Sequence, residues 1–209
     1  MATLPPPHLP PPHPSAPQKQ PAPSIRRHPQ GATHLVVMGV SGSGKTTLAT
    51  LLGERLGWVT AEADDFHPQA NIAKMASGRP LDDADRWMWL SAIRDWMSGH
   101  SAPETGTVVT CSALRRRYRD LLRQAEGVVR FIHVTGDPST IARRVERRSG
   151  HFMPPALLPS QLQALEPLDA DEDGITLPNN TTPQDLADRA LAALGLQPRF
   201  PRTGPHARN

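Results

Sequence analysis

The sequence predicts an α/β fold: a central parallel sheet of about five strands with helices on both faces. Three observations carry that expectation. Short apolar runs alternate with segments of helical period through most of the chain. A glycine-rich run sits at the junction of the first strand and the first helix. The 209 residues are enough to bury one core, so a single domain is expected. Strands are expected at 34–38, 58–62, 107–111, 128–135 and, more weakly patterned, 174–177. Helices are expected at 45–56, 86–98, 114–124, 138–148 and 183–194. Two of these have clear starts. Asp137 precedes Pro138, and Thr182 precedes Pro183; each pair sets a capping oxygen before a proline at the first helical position. Short apolar strands that alternate with helices imply a parallel sheet covered on both sides. Ligands of such sheets gather at the carboxyl ends of the strands.

The two ends of the chain do not fit this pattern. Residues 1–31 hold eleven of the 24 prolines and no acidic residue, which predicts an extended, disordered arm. Residues 196–209 again mix Pro, Arg and Gly and read as a flexible tail, leaving 32–195 as the folded domain. The formal net charge of +3 comes from these ends. Lys19, Arg26 and Arg27 lie in the arm and Arg199, Arg202 and Arg208 in the tail, so the stretch between carries 17 basic residues against 20 acidic ones. An acidic core does not match a nucleic-acid backbone, and no nucleic-acid partner is expected. No apolar run approaches the length needed to cross a bilayer, so no membrane role is expected. The arm lacks the apolar middle of a secretory signal, and its prolines would break the helix of a transit peptide. The one cysteine, Cys111, fits a reducing compartment. The expected location is the cytoplasm.

The glycine-rich run is Gly39-Val40-Ser41-Gly42-Ser43-Gly44-Lys45-Thr46-Thr47. It fits G-x-x-x-x-G-K-[ST] between an apolar strand and a helix, the context the motif requires. Backbone N–H groups must turn inward around a polyphosphate, and only small residues permit that close an approach. The positive end of the following helix adds to the attraction. Lys45 supplies a cation for the outer phosphates, and Thr46 offers a hydroxyl to Mg²⁺. The motif implies a nucleoside triphosphate ligand.

The acceptor side is read from the loops after the later strands. Glu62-Ala63-Asp64-Asp65-Phe66-His67-Pro68 follows the second strand. Phosphoryl transfer to a hydroxyl needs a carboxylate for its proton and metal ions for the transferring charge. On a strand, Glu62 and Asp64 would share a face, one toward Mg²⁺ and one toward the substrate; His67 is a candidate substrate contact. Trp87, Trp89 and Trp96 are expected to pack in the core. Arg115, Arg116 and Arg117 should line the exposed first turn of a helix, with room for one of them near substrate.

Several further blocks carry a resemblance. They are His67-Pro68 with Asn71, Lys74-Met75, Gly78, Pro80-Leu81 and Asp85-Arg86, then Cys111-Ser112-Ala113-Leu114, Tyr118-Arg119-Asp120-Leu121-Leu122-Arg123, Gly150-His151-Phe152-Met153-Pro154 and Leu157-Leu158-Pro159-Ser160-Gln161-Leu162. In this order they resemble the gluconate kinases, from the first strand to about Pro167. The resemblance implies the three-layer P-loop kinase fold shared with shikimate and adenylate kinases, with a mobile lid at about 143–160. It implies ATP and Mg²⁺ as cofactors and phosphorylation of D-gluconate at its 6-hydroxyl. Within that implied site, Asp64 meets the acceptor hydroxyl, Glu62 and Thr46 help hold Mg²⁺, and Arg86 holds the substrate carboxylate. Lys74 is a second candidate for the anionic end. Arg144 and Arg148, four apart on one helix face, would reach the phosphates from the lid, Arg148 with a catalytic role beside Lys45 and Asp64. The family also implies a homodimer.

The chain departs from the family in four places. Glu62 stands where aspartate is usual, and Met88 where proline is frequent. Residues 169–180 match poorly, which leaves the adenine contacts unassigned, and the proline-rich arm lies outside the resemblance. Two rival readings remain: a kinase of another hydroxy acid such as shikimate, and an ATP-binding switch without turnover.

Overall fold

The computed structural model describes residues 31–147 and 155–200. Five parallel strands are ordered β2-β3-β1-β4-β5: β1 (Thr33–Met38), β2 (Val59–Glu62), β3 (Gly106–Cys111), β4 (Val128–Thr135) and β5 (Gly174–Pro178). Among the described residues seven helices connect and cover them: α1 (Lys45–Leu56), α2 (Gln69–Ala76), α3 (Asp83–Ser98), α4 (Arg116–Leu122), α5 (Pro138–Glu146), α6 (Leu158–Ala164) and α7 (Pro183–Leu194). Short 3₁₀ turns occupy Ala63–Phe66 and Pro155–Leu157.

The two-residue period of β1 explains the layers. Leu35 and Val37 point to one side, where they meet Leu48 and Leu52 of α1 and Leu186, Ala190 and Leu191 of α7. Val36 and Met38 point to the other, against Trp89, Leu90 and Ile93 of α3 and Tyr118 and Leu122 of α4. A strand buried on both faces must be apolar throughout, which is why 34–38 carries no charged side chain. Register places Met38 level with Cys111 of β3 and with His133 of β4, while Glu62 stands level with Thr110. The carboxyl ends of the central strands therefore form one rim.

Three of the expected helices begin or end differently from their sequence pattern. α3 starts three residues early, because Asp82 accepts from the Asp85 amide while the Asp85 side chain accepts from the Asp82 amide. Such a reciprocal cap satisfies two otherwise orphaned donors. α4 is shorter than 114–124, and α5 is described to Glu146. α2 and α6 were not expected as helices. The caps at Asp137 and Thr182 are formed, each accepting from the backbone three residues on. Residues 196–200, assigned by composition to the tail, pack on α1: the N–H groups of Arg199 and Phe200 both donate to the Arg55 carbonyl, at 2.8 and 2.9 Å.

One buried charge ties two loops of the rim together. Arg119 and Glu172 have fully buried side chains. Arg119 grips both Glu172 oxygens at 2.6 and 2.7 Å. It also donates to the carbonyls of Ala113 at 3.3 Å, Leu114 at 3.4 Å, Glu166 at 3.1 Å and Pro167 at 3.0 Å. Burial would push the Glu172 carboxyl up, but the Arg119 guanidinium and the Asp169 amide bring it below its ordinary value. Leaving one partner without the other exposes an uncompensated charge to the interior. Arg119→Ala is therefore expected to cost about 3–5 kcal/mol of unfolding free energy, and Arg119→Met combined with Glu172→Leu markedly less. Urea denaturation checks this; equal losses in both variants would contradict it.

Candidate active site

The phosphate loop leaves β1 at Gly39 and enters α1 at Lys45. Its glycines are set by steric necessity. Gly39, Gly42 and Gly44 have φ of 139°, 78° and 103°, a region that side chains rarely tolerate. A Cβ on Gly39 would lie 2.6 Å from the Val134 carbonyl oxygen of β4, and one on Gly44 would lie 2.5 Å from Nδ2 of Asn179. The loop is thus wedged between β4 and the segment after β5. Asn179 Nδ2 also donates to the Ser43 carbonyl at 2.8 Å.

This loop fits a triphosphate. α1 begins without a side-chain cap, so the positive end of the helix opens toward the loop. Ser43 Oγ is buried with no hydrogen-bond partner among the described residues. Lys45 Nζ donates to the Val40 carbonyl at 3.0 Å, which folds its side chain back over the loop. Among the described residues no three His, Cys, Asp or Glu side chains cluster as a metal site. A Mg²⁺ ion here would accordingly draw part of its coordination from phosphate oxygens and water, as that ion commonly does.

Beside the loop lies a cavity of about 450 Å³. Ser41, Lys45 and Thr46 form its phosphate side. Glu62, Asp64 and His67 come from the end of β2 and the turn after it, and Arg86 and Trp89 from α3. Residues on the β3–α4 loop, α4 and α6 complete it, among them Arg115, Tyr118 and Gln161. Glu62 and Asp64 do share this space, but not as alternate strand residues. β2 stops at Glu62, and Asp64 sits in the following 3₁₀ turn. The Glu62 carboxylate accepts a short hydrogen bond from the Thr110 hydroxyl on β3. Asp64 offers its backbone carbonyl to the His67 amide at 3.3 Å.

The ring of His67 stacks on Trp89, with centroids 4.3 Å apart and planes 17° from parallel. Trp89 is fixed in turn by an Nε1 donation to the Ala63 carbonyl at 2.6 Å. One buried tryptophan thus packs in the core, as expected, and also backs the cavity wall. Trp96 packs edge-on to Phe66 at 5.9 Å. Burial lowers the affinity of His67 for a proton; Asp64 opposes that and Arg86 reinforces it, for a net pKa below the ordinary value. Cys111 also borders the cavity, and burial pushes its thiol up to about 12, so it is a neutral, unreactive group there.

The basic residues separate by partner. Lys74 is held by Asp85 and by Asp82, which raise its pKa in that order. It does not border the cavity. Asp82 is itself held down at about 2 by the Asp85 amide and the Lys74 ammonium. Arg86, on the first turns of α3, donates to the Tyr118 hydroxyl at 3.1 Å and lies 3.8 Å from Asp83. Tyr118 in turn donates to Asp83 at 2.6 Å.

A second cavity of about 220 Å³ lies on the other side of the loop, bordered by Gly42, Gly44, Thr47, Arg144, Asn179, Thr181 and Pro183. The structure therefore divides the sequence-derived site. Lys45, Thr46, Glu62, Asp64, His67 and Arg86 meet in the larger cavity, and Thr47 and Arg144 in the smaller. Arg148 and the block at 150–154 lie outside the described residues.

Sequence reasoning missed Asn179 and Gln161. Gln161 Oε1 accepts the Ser41 amide at 2.7 Å, which seats α6 directly on the phosphate loop. The only signal was the position of Gln161 within the Leu157–Leu162 block, which carries no information about its partner.

Burial depresses the pKa of His67, and equally those of His34 and His133. Between the depressed folded value and the ordinary 6.5, the unfolded chain binds more protons than the folded one. Stability is then full above about pH 6.5 and falls as pH drops toward the folded value. Asp82 and Asp171, both near 2, stay ionised in that window and contribute nothing to the slope. The urea midpoint should decline from pH 7.5 to 5.5, and His67→Asn should flatten that decline. An unchanged slope in the variant would contradict the assignment.

Comparison with known proteins follows the same lines. The AAA domain family matches residues 35–168. A gluconokinase of Gluconobacter oxydans (strain 621H) is 49% identical over 157 residues, covering 75% of this chain and 88% of its own. The thermosensitive gluconokinase of Escherichia coli (strain K12) is 47% identical over 141 residues, covering 67% and 75%. The crystal structure of a gluconokinase from Sinorhizobium meliloti 1021 superposes with a TM-score of 0.69 at 40% identity, covering 78% of this chain and 91% of that one.

Proposed function

Because the chain belongs to the gluconokinase family, we propose that it transfers the γ-phosphoryl group of ATP to the 6-hydroxyl of D-gluconate. One observation carries this reading on the structural side: a single cavity is bordered by the phosphate-loop residues Lys45 and Thr46, the acid Asp64 and the cation Arg86. A donor site, a proton acceptor and an anion anchor are what a hydroxy-acid kinase needs side by side.

When bound, ATP with Mg²⁺ supplies the transferable group and a cation that spreads its charge. The chain does the rest. The amides of 39–47 and the start of α1 hold the phosphates, and Lys45 neutralises the outer ones. The Thr46 hydroxyl and the Glu62 carboxylate would hold Mg²⁺, the longer glutamate standing where aspartate is more usual. Asp64 orients the 6-hydroxyl and takes its proton. His67, neutral at pH 7 and stiffened by Trp89, contacts a hydroxyl of the sugar acid. Arg86 grips the carboxylate, to which its planar guanidinium can donate twice. Lys74 acts one step away, by ordering Asp82 and Asp85 and with them the start of α3 that carries Arg86.

The smaller cavity takes the nucleoside. Its borders include Arg144 and Asn179, and Asn179 also fixes the loop at Ser43. Arg148, which the family resemblance pairs with Arg144 on the phosphates, keeps that assignment as part of the proposal. Water exclusion from the transfer site has a chemical purpose, since an exposed γ-phosphoryl group is lost to hydrolysis.

A coupled assay with D-gluconate, other sugar acids and shikimate tests the reading. Turnover should require gluconate and ATP together; a preference for shikimate, or no turnover with any acid, overturns it. Asp64→Ala is expected to lower kcat by roughly 10²–10⁴-fold, the range of a lost proton acceptor, while nucleotide affinity stays within a few-fold. Lys45→Ala should impair both. Near-normal kcat in Asp64→Ala would remove that residue from the mechanism.

A further inference from the structure

Three consecutive arginines open α4, and the structure gives them different fates. Arg116 is neutralised by Asp120, Asp169 and Asp171 at 3.1, 3.0 and 2.8 Å. Arg117 is neutralised by Asp83 at 2.6 Å. Among the described residues, the guanidinium of Arg115 makes no hydrogen bond or ion pair, yet Arg115 borders the large cavity. A half-buried guanidinium at a cavity wall, with no carboxylate in hydrogen-bond contact among the described residues, is placed to pair with an anion held in the cavity.

The loop that carries Arg115 is built to hold it there. Ala113, two residues before it, has a φ of 40°, a left-handed conformation that a residue with a Cβ adopts only when its surroundings impose it. The imposing contacts are on hand. Arg119 takes the carbonyls of Ala113 and Leu114 from inside the core. From the other side, the Glu166 amide donates to the Leu114 carbonyl at 2.7 Å. The Glu166 carboxylate also accepts the Arg116 amide at 2.6 Å. Both neighbours of Arg115 along the chain are thus tied down.

We infer that Arg115 is a second anchor for the carboxylate of the acceptor, working with Arg86 from a different wall of the same cavity. This deepens the functional reading above and rests on it. Arg86 shares its charge with Asp83 and gives one N–H to the Tyr118 hydroxyl, so a second cation on the carboxylate adds to its hold. A carboxylate has four lone-pair sites and can accept from two guanidinium groups at once. The Asp83 carboxyl registers this shared field: the Tyr118 hydroxyl lowers its pKa most, and Arg117, Arg115 and Arg86 all add to the effect. Two arginines on the anionic end select an acid over the corresponding polyol, since the polyol offers neither guanidinium a negative charge.

The test compares wild type with Arg115→Ala and Arg115→Lys. Losing a charge-assisted hydrogen bond should raise the gluconate KM of Arg115→Ala by roughly 10–100-fold. The ATP KM should move less than threefold, and Arg115→Lys should recover part of the loss. Calorimetric titration of gluconate into nucleotide-free protein should show the same weakening without any turnover. A gluconate KM within threefold of wild type in Arg115→Ala, or an ATP KM that rises as much as the gluconate KM, overturns the inference while leaving the gluconokinase reading intact. Absence of gluconate turnover in the wild type overturns both.

Discussion

The parallel ladder centred on β1 is the constraint from which the site follows. β1 is hydrogen-bonded on both sides, to β3 and to β4, in a register that ends β1 and β3 level at Met38 and Cys111 while β4 runs on from His133 to Thr135. A slip of one residue would turn Leu35 and Val37 toward the α3 layer and Val36 and Met38 toward the α1 layer, and both cores would fail together. Because the register cannot slip, the chain leaving β1 must turn so close to β4 that a Cβ on Gly39 would lie 2.6 Å from the Val134 carbonyl oxygen. Only a glycine fits there. The same levelling delivers the turn after Glu62 and the loop after Cys111 to the mouth of the phosphate loop.

On that rim the chain arranges opposite charges in order. Acids from the end of β2 and the turn after it, and arginines of α3 and the β3–α4 loop, border the same cavity. Polar groups not used for chemistry are paired elsewhere: Lys74 with Asp82 and Asp85, Arg116 with three aspartates, Arg119 with Glu172. These pairings have differing worth. The exposed ones contribute little to stability. Arg119–Glu172 is fully buried and fixes the backbone from which Arg115 projects. α6 is joined to the donor side by Gln161, so one wall of the acceptor cavity rests on the loop that binds the phosphates. That contact gives a physical route by which the two halves of the site are held in mutual alignment.

Much of this was legible in the sequence because the signals are local. The strand boundaries follow from apolar runs, the phosphate loop from glycine spacing, and the starts of α5 and α7 from Asp137-Pro138 and Thr182-Pro183. What was not legible depends on partners distant in sequence. The contacts of Asn179 with Ser43 and of Gln161 with Ser41 span 136 and 120 residues. No local pattern encodes either. Arg115, Arg116 and Arg117 are chemically identical neighbours, and only their tertiary surroundings separate a cavity residue from two surface ion pairs. Asp64 was placed in the right space by the wrong geometry, since a strand was assumed where the chain makes a 3₁₀ turn. The start of α3 was missed because its reciprocal cap, Asp82 with Asp85, lies in a run of acids that also reads as a solvated loop.

The central claim is that a sugar acid lies with its terminal hydroxyl at Asp64 and its carboxylate among the arginines. A crystal structure of the protein with a non-hydrolysable ATP analogue, Mg²⁺ and D-gluconate measures this directly. The account predicts the 6-hydroxyl within hydrogen-bonding distance of the Asp64 carboxylate, and the carboxylate contacting Arg86. Gluconate bound in the reverse direction, or outside the cavity that Lys45 and Asp64 share, would contradict it.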